Sequence, residues 1–216
     1  MTLMVDLYWS FRSPFSYLAT GRIVAMAAAY DVDVAARVVR PIAIRDPKFF
    51  QRVDPRMPPY VVMDSKRVAE MAGIPFRWPR PDPVVMDMKT RAIPAEQPYI
   101  HRLNRLGVAA ARAGRGLAFL DEVSRLIWTG DVDEWHLGDH LANAAARAGL
   151  ELAALETDAR DNEADLDGEL VRNEDALAAA GHWGVPTLVF DGEPFFGQDR
   201  LALLEWRLGQ HGLEKR

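Results

Sequence analysis

The chain has 216 residues, 49% hydrophobic and 26% charged, with a formal net charge of −5 and no cysteine. Such a chain buries a real core and is not disordered, and without a thiol it has no disulfide, no thiolate metal site and no cysteine nucleophile. The acidic balance offers neither the basic stripe of a nucleic-acid binder nor the polybasic segment that an anionic membrane attracts, so neither partner is expected.

Residues 3–9 read as a buried strand in which Asp6 is the only charge. Residues 13–30 read as a helix. Ser13 is a good N-cap, and Pro14 falls at the first helical position, where its missing N–H costs nothing. Residues 34–39 alternate into a second strand. Residues 41–60 carry five prolines and read as irregular, and so long a loop in a compact domain is often functional. Residues 60–73 look helical and end at Gly73, after which Pro75, Pro79, Pro81 and Pro83 mark a second irregular stretch. From Glu96 to about Gly181 the pattern is almost wholly helical, with Gly107, Gly114, Gly130, Gly149 and Gly168 as breaks or caps. Residues 187–190 form a strand, Asp191-Gly192 is a hairpin turn signal, residues 193–196 are its partner, and residues 198–208 form a last helix.

The order is therefore β-α-β, a long helical block, then β-β-α. Neither end completes a sheet alone; together they give a four-stranded mixed sheet. The chain is expected to be an α/β protein with one discontinuous domain (1–45 and 182–216) and a mainly helical insertion (46–181). No basic start is followed by an apolar signal core, and no apolar run approaches the roughly 18 residues of a membrane span, so a cytoplasmic location is the default.

Ser13-Pro14-Phe15-Ser16 is the most telling stretch. A strand, a short turn and a helix N-terminus bearing small hydroxyls make a place to hold a thiolate or another anion. Ser13 and Asp199 are each also explained as plain helix caps, and Ser16 as a first-turn hydroxyl bonded to its own backbone. Trp9 and Phe15 are core residues or an apolar wall for an aromatic substrate. His182 precedes the Gly184-Val185-Pro186 loop and is placed to border a pocket. His136 and His140 are four apart on an expected helix, but no third ligand arrives at a metal-binding spacing, and no metal is expected.

The order of elements, with Ser13-Pro14-Phe15-Ser16 near one end and Gly184-Val185-Pro186-Thr187 near the other, resembles the DsbA-like branch of the thioredoxin superfamily. Phe11-Arg12-Ser13-Pro14-Phe15-Ser16-Tyr17-Leu18-Ala19 is more narrowly similar to 2-hydroxychromene-2-carboxylate isomerases and kappa-class glutathione transferases. Tyr60, Asp64 and Arg67, then Gly73-Ile74-Pro75-Phe76, and finally Phe196-Gly197-Gln198-Asp199-Arg200-Leu201 match in order. The resemblance implies a thioredoxin-like fold, glutathione as cofactor, an aromatic or conjugated small-molecule substrate and a homodimer. It gives Ser13 the role of hydrogen-bonding the glutathione sulfur. It makes Pro186 cis, with the Val185 backbone pairing with the cysteinyl part of the tripeptide, and it sets Gln198 and Asp199 at the γ-glutamyl group. Three departures stand out: Met57 occupies a position where the family often has lysine, residues 51–59 hold no counterpart of a usual asparagine, and Gln198 stands where transferases commonly have serine. The implied activity is a glutathione-dependent isomerase. A kappa-type transferase and a non-catalytic thioredoxin-fold binding module are the alternatives.

Overall fold

The computed structural model describes residues 2–87 and 89–216. β1 (Leu3–Trp9) lies at the centre of a four-stranded sheet of order β2-β1-β3-β4. α1 (Pro14–Ala29) returns the chain to β2 (Val32–Val38), which pairs parallel to β1 from Leu3↔Val32 to Trp9↔Val38. β3 (Thr187–Phe190) runs antiparallel on the other side of β1, in the register Tyr8↔Thr187, and β4 (Glu193–Phe196) pairs with β3. The β3–β4 turn is the expected Asp191-Gly192, both at positive φ, the geometry that a two-residue hairpin needs. The fold is thus a thioredoxin-like α/β fold with a helical block between β2 and β3, and both chain ends contribute strands.

Between the strands come α2 (Ile42–Arg45), α3 (Phe49–Arg52), α4 (Met57–Ala72), α5 (Ile100–Arg112), α6 (Gly116–Trp128), α7 (His140–Arg147), α8 (Leu152–Asp161) and α9 (Glu163–Ala179). A 3-10 turn at Gln198–Arg200 leads into α10 (Leu201–Gln210).

Several expectations need correction. β2 starts at Val32, two residues early, because it follows the parallel register of β1. Residues 41–60 are not wholly irregular. They contain two one-turn helices, and α4 begins at Met57 with Pro58 and Pro59 in its first turn, where prolines need no hydrogen-bonded N–H. Gly107 and Gly168 do not break helices but lie within α5 and α9. His136 sits in a turn ahead of α7, so it shares no helical face with His140.

Gly107 is there for close approach. A Cβ at this position would lie 2.9 Å from Val38 Cγ2 and 3.0 Å from Phe11 Cε2. α5 therefore packs directly on the chain that leaves β1. α6 is tied to the same place, since the buried Trp128 indole donates to the Phe11 carbonyl at 3.0 Å. Tyr17 joins this wall, stacked on Trp128 (centroids 6.3 Å) and Phe76 (6.4 Å), with its hydroxyl donating to Pro75 O at 2.6 Å. The helical block thereby grips the start of α1.

Two outcomes are expected. Gly107→Ala should lower stability by about 1–3 kcal/mol, because the backbone or Phe11 must move to admit a methyl group. A change below about 0.5 kcal/mol in urea unfolding, the range of a neutral surface substitution, contradicts that packing. Burial pushes the Tyr17 phenol up to about 12 from its ordinary 10.0. A folded-state pKa above the unfolded one means that the protonated phenol stabilises the fold below about pH 10, and that this contribution is lost as pH rises from about 10 to about 12. Comparison of phenolate absorbance in the wild type and Tyr17→Phe checks it: the tyrosine missing from the variant should be the late-titrating one.

Candidate active site

After Trp9 the chain turns sharply, with the Ser13 N–H donating to Ser10 O at 3.1 Å. Ser13 has extended dihedrals (φ −95°, ψ 115°) and its Oγ accepts the Ser16 N–H at 3.1 Å, as an N-cap does. Pro14 has no N–H to satisfy, and the Phe15 N–H has no protein acceptor among the described residues. The end of α1 therefore presents an unpaired backbone donor and the positive end of the helix dipole.

The Ser13 hydroxyl also reaches the far end of the chain. Its Oγ donates to Val185 O at 3.3 Å. That bond is long and weak, so rotation about the Ser13 C–O bond redirects the proton to another acceptor at small cost. The Val185–Pro186 peptide bond is cis, as the family resemblance implies. The Val185 N–H has no partner among the described residues. Pro186 O accepts the Gly197 N–H at 2.9 Å, which draws residues 197–199 alongside the loop. Arg22 of α1 donates to Gln198 O at 2.9 Å and fixes the same segment from below.

The remaining candidates fall into distinct places. The Asp199 side chain is 58% exposed and pairs with Arg200 at 3.1 Å. Phe15 is half-buried against the core. Ser16 is fully enclosed, and its Oγ has no partner. Trp9 corrects an expectation: it is fully buried, with its indole N–H on Thr20 Oγ1 at 3.0 Å, so it walls the core and not an open pocket. Thr20 Oγ1 in turn donates to Ser16 O at 2.7 Å. Trp9 and Thr20 therefore brace the first turn of α1 from beneath. His182 is half-exposed, and its Nδ1 accepts the Gly184 N–H at 2.9 Å. No cluster of three metal-ligating side chains occurs among the described residues.

Sequence reasoning missed the flank of the site. Arg12 is clamped by Asp82 through two hydrogen bonds of 3.0 and 3.2 Å, and its guanidinium lies between the rings of Trp78 (5.4 Å) and Phe50 (5.6 Å). Phe49 and Phe50, 5.3 Å apart, bridge from that clamp to Trp183, which lies 5.8 Å from Phe49. Arg45 is held by two carbonyls, Arg40 O at 2.8 Å and Trp183 O at 2.9 Å. Two adjacent phenylalanines inside a proline-bounded stretch were the available signal. A groove of about 670 Å3 over β2, between α1 and the α5–α6 hairpin, lies elsewhere. Its Arg37, Arg112 and Arg147 are already ion-paired, so the chemistry favours the Ser13 end.

Known proteins resemble this chain along nearly its whole length. The model of the DSBA-like thioredoxin domain family matches residues 4–209. A 2-hydroxychromene-2-carboxylate isomerase from Pseudomonas putida is 26% identical over 216 residues, which span 96% of this chain and 95% of that protein. Another, from Pseudomonas sp. (strain C18), is 28% identical over 222 residues, with 97% and 92% covered. A solved 2-hydroxychromene-2-carboxylate isomerase superposes with a TM-score of 0.70 at 22% identity, over 96% of this chain and 95% of that one. A likeness at that identity speaks for the fold.

Loss of the cap alone should be measurable. Ser13→Ala removes an N-cap acceptor and should cost about 1 kcal/mol in urea unfolding. A cost near 3 kcal/mol would mean that the Val185 contact, and not the cap, dominates.

Proposed function

Because the chain belongs to the DSBA-like thioredoxin domain family, we propose that it is a glutathione-dependent isomerase of the 2-hydroxychromene-2-carboxylate type, acting on an aromatic or conjugated carbonyl substrate. One observation carries this reading: Ser13 stands at the open N-terminus of α1 with its hydroxyl proton resting on a weak 3.3 Å bond to Val185 O. A donor so placed turns readily to a sulfur.

The residues present fit glutathione. The unpartnered Phe15 and Val185 N–H groups are donors lacking acceptors in the protein. The Val185 backbone would pair with the extended tripeptide beside Pro186. Asp199, exposed at the start of the last helical segment, would meet an ammonium group, with Gln198 beside it. When bound, glutathione supplies a thiolate that adds reversibly to a conjugated carbonyl compound, frees the former double bond to rotate, and leaves.

The chain's own contribution is electrostatic. An ordinary thiol has a pKa near 8.5, so little of it is ionised at neutral pH. The helix end and the Ser13 hydroxyl both favour an anion beside them. Each unit of lowered pKa is about 1.4 kcal/mol of preference for the charged form. Serine suits the task because it donates a hydrogen bond without being oxidised. Arg12 adds little net charge here, because Asp82 neutralises it.

The test has two readings. Glutathione at 100 times its Kd should stabilise the wild type by about 2.7 kcal/mol. Ultraviolet titration of the bound thiolate should give a pKa that rises by about one to two units in Ser13→Ala, since a hydrogen bond to a charged group contributes about 1.5–3 kcal/mol. An unchanged bound-thiol pKa reduces Ser13 to a cap. Binding without turnover of a 2-hydroxychromene-2-carboxylate would move the chain to the non-catalytic binding module.

A further inference from the structure

We propose that the free edge of β2 is a docking strand for an extended peptide with an acidic residue, received in the groove between α1 and the α5–α6 hairpin. Nothing in this inference rests on the isomerase reading.

β2 is the outermost strand on its side of the sheet, and among the described residues β1 is its one neighbour. The register fixes which backbone groups that neighbour uses. Asp31 O accepts the Leu3 N–H at 3.2 Å, and the Val39 N–H donates to Trp9 O at 2.9 Å. The odd-numbered residues between them therefore turn their N–H and C=O toward β1, and the even-numbered ones turn outward. At the two ends the outward groups are satisfied: the Val32 N–H donates to Tyr30 O at 2.9 Å, and Val38 O accepts the Asn173 amide at 3.0 Å. Between them, the N–H and C=O of both Val34 and Ala36 have no partner among the described residues. An open strand edge is a template for another strand, and proteins commonly blunt it with proline, lysine or a bulge. The residues of β2, VDVAARV, pair with β1 without a break and include neither proline nor lysine. The edge is closed at both ends and open in the middle.

The open stretch lines the groove of about 670 Å3, which Ala27 of α1 and Gly116 and Ala118 of α6 help to wall. The wall stands directly against the strand, since a Cβ on Gly116 would lie 2.8 Å from Ala36 Cβ. Side chains of an added strand point alternately into the groove and out of it, and small wall residues leave depth for the inward ones. Charge selects the ligand further. Arg37, Arg112 and Arg147 in the lining are paired with Asp6, Asp165 and Glu122. Arg115 also lines the groove and forms no ion pair among the described residues. Its Nε donates to Ala148 O at 2.8 Å, which orients the guanidinium and leaves its charge uncancelled. A carboxylate on the incoming strand supplies the missing partner. A lone peptide suits the groove better than a second copy of this chain, whose β2 would arrive with its own α5–α6 hairpin beside it.

The probes are the peptides Ac-Glu-Ser-Val-Ser-Val-Ser-Val-NH2 and Ac-Val-Ser-Val-Ser-Val-Ser-Glu-NH2, which carry glutamate at either end of the valine face. Each is titrated calorimetrically against the full chain without glutathione. At least one should bind with a Kd below about 1 mM, and its glutamine counterpart about threefold or more weakly. Arg115→Gln should erase that difference. N-Methylation of the alternate peptide residues that face β2 should lower affinity about tenfold, and the same change on the intervening residues should leave it intact. Val34→Pro removes an outward N–H without touching a bond to β1, so it should weaken both peptides. Should that variant fail to fold, the methylated peptides give the same reading on the wild type. Solvent exchange of the Val34 and Ala36 amide protons, followed by nuclear magnetic resonance, should slow when peptide binds. Absence of binding at about 1 mM, equal effects of the two methylation sets, or a glutamate preference that is missing or survives in Arg115→Gln overturns the proposal. Slow exchange at Val34 and Ala36 without peptide, in a dimer that dissociates on dilution, makes the edge a contact between copies and also overturns it.

Discussion

The Ser13 hydroxyl is the point where the two ends of this chain meet. It accepts the Ser16 N–H and donates to Val185 O, 172 residues away, which one hydroxyl can do because it carries one proton and two lone pairs. The contact exists only because β1 pairs with β3. The register Tyr8↔Thr187 sets the Val185–Pro186 loop beside the turn that leaves β1. Below the turn, the Trp9 indole, the Thr20 hydroxyl and the Ser16 carbonyl form a buried hydrogen-bonded run that pins the first turn of α1 to the sheet. The geometry at Ser13 is thus determined by strand register on one side and by a core tryptophan on the other.

The helical block does not touch that contact, yet it positions everything around it. Trp128 of α6 holds the Phe11 carbonyl, Gly107 lets α5 close on the Phe11 ring, and Asp82 fixes Arg12. Glu174 of α9 bonds both the backbone N–H and the guanidinium of Arg40, which sets the direction in which residues 40–45 leave β2. That direction delivers Phe49 and Phe50 to the flank of the site. The Ser13 turn and its aromatic flank are therefore carried by different parts of the chain, joined through a few buried bonds.

Local signals made much of the fold legible. The apolar run of β1, the Ser-Pro helix start, the Asp-Gly hairpin and the β-α-β … β-β-α order each rest on nearby residues, and all appear in the structure. What failed was whatever depends on distant packing. Gly107 has the sequence signature of a helix break, but its lack of a side chain serves Phe11 and Val38 from another part of the chain. Trp9 looked like a pocket wall because it borders Ser13, yet in a strand its neighbours point to opposite faces, and its own face is the core. The contact of Phe49 with Trp183 joins segments far apart in sequence, so no periodicity or motif within either one announces it.

Two arginines on the flank of the site are handled in opposite ways. Arg12 is held by Asp82, so its guanidinium works as a rigid spacer between Phe50 and Trp78. The end of α1 is then left with fixed backbone dipoles and a hydroxyl as its polar groups. Arg45 is held by carbonyls alone, which orient it without cancelling its charge. A chain without cysteine cannot exchange disulfides through its own thiols, so the polar groups at this end of the fold are backbone dipoles, hydroxyls and guanidinium groups in place of a thiol.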